Sequence, residues 1–180
     1  MSHIFTRVIF TLCCVLALTG CNTAFKGSPP SLAERTASKP IITQFDGRLL
    51  VIEPTRRWQA SIHWQANLHE GYARLTHAAS SYIIEIQWLE ENIRMRSNQN
   101  PHWQAISKHK LIDLGIILPP QMLAAILHHQ IPSVFQSQGK QTWQGKFNGS
   151  LVRFMWKNNM RQLNITDITH GRTAMLKMNP

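Results

Sequence analysis

From residue 45 onward the chain alternates apolar and polar side chains. Trp58, Ala60, Ile62 and Trp64 are interleaved with Gln59, Ser61, His63 and Gln65, and a period of two puts the two sets on opposite faces of a strand, one buried and one wet. Residues 45–52, which carry Leu49 and Val51, predict a strand ended by Glu53-Pro54-Thr55, because proline cannot donate to a ladder. A turn over 67–71 leads into a third strand from Tyr72. Residues 81–88 then place Tyr82, Ile84, Ile86 and Trp88 on one face against Glu85 and Gln87. Shorter strands are expected at 93–96 and 102–106.

The period changes at residue 108. A short helix is predicted over 108–114, closed by Gly115, and Pro119-Pro120 opens a second in which Met122, Leu123, Ile126 and Leu127 share one stripe. A polar loop runs to Gln141. Period two then returns: residues 143–147 and 151–156 flank Asn148-Gly149, the turn dipeptide of a hairpin, and strands follow at 163–168 and 174–178. Strands, a helical insertion and strands again imply an antiparallel sheet. Its apolar face, rich in Trp, is too large for one short helix to cover, so the sheet must curl on itself. The interior of such a sheet is either filled by its own side chains or an apolar pocket.

The segment before this region has its own logic. Arg7, an uncharged apolar run over 8–18 and Leu18-Thr19-Gly20-Cys21 follow the order of a secretory signal. The run is well short of the roughly 20 residues that cross a bilayer as a helix. The small residues before Cys21 resemble the cleavage box of bacterial lipoproteins, which implies removal of residues 1–20 and acylation of Cys21. Asn22 in place of Asp points, by resemblance to bacterial sorting rules, to the outer membrane. Residues 21–42 are rich in Ser, Thr, Pro and Ala and read as a tether, with one helical turn over 31–37, and the folded part is taken as 43–180.

All three cysteines, Cys13, Cys14 and Cys21, lie in or at the end of the signal, so the exported part has neither a disulfide nor a free thiol to stabilise it. With 19 Lys and Arg against 9 Asp and Glu the chain is strongly basic. For an exported protein this favours anionic headgroups or an acidic protein over nucleic acid, with solubility as the plain alternative. Catalytic and metal chemistry find little support. His128-His129, drawn together with His63 or His102, lack a His-x-x-x-His spacing, the carboxylates are scattered, and Ser80 and Ser81 lack a nucleophile elbow. No enzyme, metal or cofactor is expected.

Several motifs stand in a characteristic order: the lipobox and tether, Phe45-Asp46-Gly47-Arg48-Leu49, Ile62-His63-Trp64, Asp113-Leu114-Gly115-Ile116-Ile117-Leu118-Pro119 leading into Met122-Leu123-Ala124-Ala125-Ile126-Leu127 and Ile131-Pro132, and finally Arg172-Thr173-Ala174-Met175-Leu176-Lys177-Met178. Together they resemble the LolB family of outer-membrane lipoprotein receptors. The resemblance implies a mainly β (α+β) fold, an incomplete antiparallel β-barrel with a short helical lid around an apolar cavity. Such a chain would be monomeric, anchored to the outer membrane and facing the periplasm. It would accept the acyl chains of lipoproteins from the periplasmic carrier LolA and release them into outer-membrane lipid.

Lining candidates are Leu49, Val51, Trp58, Ile62, Trp64, Tyr82, Ile84, Ile86, Trp88, Met122, Leu123, Ile126, Leu127, Phe154 and Trp156, with ordinary core packing the competing reading for the aromatics. The membrane-facing loop would be His77, Ala78, Ala79 and Ser80. It departs from the family, whose loop carries an exposed Leu where this chain has Ala79. Two other readings remain open: an accessory envelope lipoprotein of the same fold with a packed interior, and a binder of another lipid.

Overall fold

The computed structural model describes residues 41–180. The signal, Cys21, most of the tether and the helical turn expected over 31–37 lie outside the described residues. In chain order the elements are β1 (Gln44–Ile52), β2 (Arg57–Ala66), β3 (Glu70–His77), β4 (Ile83–Leu89), β5 (Asn92–Ser97) and β6 (Gln104–Ala105), then helices α1 (Lys108–Asp113) and α2 (Pro120–Leu127). The chain continues through β7 (Phe135–Ser137), β8 (Thr142–Phe147), β9 (Ser150–Lys157), β10 (Gln162–Asp167) and β11 (Arg172–Met178).

Among the described residues 11 strands form one sheet in the order β6-β5-β4-β3-β2-β1-β11-β10-β9-β8-β7. Each neighbouring pair is antiparallel. Two meanders, before and after the helices, are thus joined through β1 and β11, where Arg48 stands opposite Lys177 and Leu50 opposite Met175. The sheet stays open. Its free edges are β6 and β7, and the chain between them is the helical insertion.

The alternation in sequence becomes alternation in burial. In β2, Ala60, Ile62, Trp64 and Ala66 are buried and Gln59, Ser61 and Gln65 exposed. Inward residues of both meanders and of the insertion belong to one hydrophobic cluster. The insertion touches both halves: His128 Nε2 lies 3.3 Å from the Ala66 carbonyl on β2, and the His129 ring is 6.1 Å from Trp156 on β9. Inward residues of the sheet and residues of the insertion are thus buried in one cluster, which removes them from water at about 25 cal/mol per Å² of apolar surface.

Local signals explain the boundaries. Ser107 caps α1 by accepting from Lys110 N, Gly115 leaves the helix in the left-handed region at φ +80, and Pro120 opens α2 where its missing N–H costs nothing. Asn148 (φ 47) and Gly149 (φ 79) form the two-residue turn between β8 and β9.

Three expectations are corrected. The polar loop between the insertion and residue 141 contains a strand, β7, paired with β8 through Phe135 opposite Gly145. A Cβ on Gly145 would stand 2.0 Å from the Val134 carbonyl oxygen, so a glycine is what lets β7 approach. The strand expected over 102–106 is reduced to Gln104–Ala105. On α2, the fully buried face is Pro120, Ala124, Ile126 and Leu127, while Met122 and Leu123 are only half-buried.

Candidate functional site

The buried face of the sheet carries an aromatic floor. Trp64 on β2 lies between Phe45 on β1 (6.1 Å between ring centres) and Trp88 on β4 (5.0 Å). On the other half Phe154 of β9 packs edge-on against Phe135 at 5.1 Å and stacks on Trp143 at 5.2 Å. Against these faces the insertion places Leu111, Ile117, Leu118, Ala124, Ile126 and Leu127, all buried. Among the lining candidates Val51, Ile62, Trp64, Ile86, Trp88, Ile126, Leu127, Phe154 and Trp156 are buried, and Leu49, Trp58, Ile84, Met122 and Leu123 half-buried against them. Tyr82 stands apart, in the segment before β4, beside a shallow recess shared with His77, Ser80, Asn98 and Gln99.

Hydrocarbon dominates this interior, although Ser97 and Asp167 are buried as well. The indole N–H groups of Trp64, Trp88 and Trp156 are buried and find no acceptor among the described residues. An unpaired buried donor costs about 1–3 kcal/mol. A guest carrying a carbonyl would lower that cost.

The insertion is tied to the sheet by hydrogen bonds from side chains and from the backbone just before β1. Arg172 Nη1 donates to the Ile112 carbonyl (3.3 Å) and Arg56 Nη2 to that of Asp113 (3.2 Å), so two guanidinium groups meet the carbonyl end of α1. Gln121 Nε2 donates to the Glu90 carbonyl (2.8 Å), and Ile42 N to the Leu127 carbonyl (3.3 Å). Arg56 is itself held by Glu53 at 2.5 Å. That bond, then the Arg56 and Arg172 charges, keeps the Glu53 carboxyl below its ordinary range although burial opposes them. These contacts join residues far apart in the chain, and no sequence signal marks them.

A second polar cluster lies on the outer face. Tyr72 Oη and Arg96 Nε, the latter at 2.5 Å, both donate to the Glu85 carboxylate, and the Arg96 guanidinium lies 4.6 Å over the Trp103 ring. The Tyr72 hydrogen bond, then Arg96 and the Arg74 charge, lower the Glu85 pKa against the effect of burial. Burial and the bond to Glu85 push Tyr72 up to about 12.

The signs set a pH window. A lowered carboxylate contributes stability above its unfolded value of 4.5 and loses it as pH falls through the folded value. A raised phenol contributes below its unfolded value of 10.0 and loses that as pH rises towards about 12. Stability is thus expected to fall below about pH 4.5, with Glu85→Gln flattening the acid limb and costing about 2 kcal/mol at pH 7. Thermal unfolding of both proteins at pH 7 and 3.5 checks this, and parallel losses in the two would refute it.

The loop at 77–80 is a polar turn. Ala78, Ala79 and Ser80 are exposed, and His77 Nδ1 is 3.3 Å from Ala79 N and 2.9 Å from Ser80 Oγ. A recess of about 690 Å³ opens among Gln44, Gln65, Asn67, Tyr72, Gln87 and Arg94 and is also lined by Ala66 and Trp88 of the buried face.

Other constellations are structural clasps. Ser150 Oγ and Asp167 Oδ2 both meet His170 at Nδ1, at 3.1 and 2.8 Å, whereas a proton relay needs opposite ring nitrogens. Among the described residues no group of three or more His, Cys, Asp or Glu is placed to hold a metal ion. His63 instead sits 2.8 Å from Asp46. No family model and no curated protein matches the chain.

Proposed function

We propose that this chain is an outer-membrane lipoprotein, anchored through Cys21, that accepts the acyl chains of other lipoproteins from LolA and passes them to the membrane. The helical insertion acts as the lid, and the acyl chains take its place in the interior. One observation carries the reading: the interior is filled by a segment held through hydrogen bonds from side chains and from the backbone just before β1, with no strand ladder, so it can leave while the sheet stays paired.

Magnitudes support the exchange. Fully exposing the five buried Leu and Ile side chains of the insertion costs about 7.5–15 kcal/mol at 1.5–3 each, with Ala124 adding little. Sheltering a sixteen-carbon acyl chain returns about 12 kcal/mol. A single chain is therefore marginal and a cargo with two or three is sufficient, and the unpaired indole donors give its ester or amide carbonyls partners. No covalent chemistry is required.

A second reading, an accessory envelope lipoprotein with a permanently packed interior, is favoured by the turn at 78–80, whose methyl and hydroxyl groups make a poor membrane wedge. Transfer separates the two. The chain from residue 21 onward, carrying Cys21→Ala, is mixed with cargo-loaded LolA and recovered by pull-down. Cargo is expected to move to it, and Ala79→Leu then to speed insertion into vesicles. Cargo that stays on the carrier, where a LolB receptor accepts it, leaves the accessory reading.

A further inference from the structure

The outer face of the sheet carries a pattern that acyl-chain acceptance does not use. Strand register aligns three rows across β1, β11, β10 and β9. The middle row is Leu50, Met175, Asn164 and Met155, all half-buried. Beside it run Arg48, Lys177, Gln162 and Lys157. On the other side Ile52 stands opposite Arg57 of β2 and in line with Thr173, Thr166 and Arg153. The cations Arg48, Arg57, Arg153, Lys157 and Lys177 are all exposed, and no carboxylate lies in these rows. The nearest acidic side chains along β1 and its turn, Asp46 and Glu53, are engaged by His63 and Arg56.

We propose that this face lies against an anionic phospholipid surface. Strand spacing makes the patch roughly 20 by 14 Å, so its charges lie within one or two screening lengths of each other and act together. Half-buried thioether and aliphatic groups between long cationic side chains match the boundary of a bilayer, with apolar stems inward and charged heads at the phosphates. A second copy of this chain would bring like charges together. An acidic protein has the charge but not the proximity. The roughly twenty residues between Cys21 and Ile41 span at most about 70 Å, so an anchored chain never leaves the neighbourhood of the headgroups. This choice of partner rests on the lipid anchor of the proposed function, while the face itself does not.

The test needs neither anchor nor carrier, so its outcome is separate from that of the transfer experiment. The chain from residue 21 with Cys21→Ala is floated with vesicles of phosphatidylethanolamine and phosphatidylglycerol (3:1) and with phosphatidylcholine vesicles. Binding to the anionic vesicles alone is expected, lost in high salt. It should weaken about 100-fold in Arg48→Gln/Lys157→Gln/Lys177→Gln, by a larger factor in the corresponding Glu triple, and less than twofold in Arg94→Glu, outside the patch. Circular dichroism confirms that each variant is folded. Equal binding to both vesicles, or binding unchanged in the Glu triple, overturns the proposal. So does retention by an acidic protein without any binding to vesicles.

Discussion

Arg172→Met combined with Gln121→Met is expected to tighten binding of an environment-sensitive acyl probe by about 10- to 30-fold while lowering the melting temperature by a few degrees. The opposite signs follow from the geometry. Both side chains hold the insertion at its carbonyl contacts, Arg172 to Ile112 and Gln121 to Glu90, and each bond contributes about 1 kcal/mol to the closed arrangement. If the probe binds only after the insertion leaves, its apparent affinity is reduced by the rarity of that state. Removing two contacts raises the open population by the same free energy that the folded protein loses. Methionine retains the apolar stem in both places, so packing changes little. A lower melting temperature with unchanged probe binding would make the insertion a permanent part of the core, and the acceptor reading would fail with it.

Much of the fold is legible in the sequence because one face of the sheet is buried and the other wet. The alternation from Trp58 to Gln65 specifies both a strand and its orientation, and Asn148-Gly149 fixes the hairpin that follows the insertion. Strand β7 is not legible. Phe135-Gln136-Ser137 is too short to show a period, and it exists because Gly145 on the neighbouring strand lets its backbone come close. The interior is legible as apolar, but its occupant is not. Filled and hollow sheets demand the same inward residues, and only the tertiary structure shows Leu118, Ile126 and Leu127 buried in one cluster with Trp64, Trp88 and Phe154. The arginine contacts to α1 escape the sequence for a related reason. Arg56 and Asp113 are 57 residues apart, and Arg172 and Ile112 are 60.

Phe154→Ala is expected to cost about 3–5 kcal/mol of unfolding free energy, read from denaturant titration. The ring is 0 % exposed and touches Phe135 on β7 and Trp143 on β8, so truncation opens a cavity at the junction that holds an edge strand to the sheet. Met155→Ala, one residue along and half-buried on the outer face, should cost about 1 kcal/mol. The informative comparison is with Leu127→Ala on the insertion, which is also 0 % exposed and would ordinarily cost 2–5 kcal/mol. If the insertion can leave while the sheet persists, global unfolding loses no more from Leu127→Ala than the free energy that seats the insertion. Phe154, part of the sheet itself, has no such ceiling. Truncations within the insertion should therefore stop adding once their summed cost reaches that free energy, whereas Phe154→Ala should add in full to any one of them. Costs that keep adding through Leu111, Ile117, Leu118, Ile126 and Leu127 would instead mean that helices and sheet unfold as one unit, leaving no separate open state for acyl chains to select.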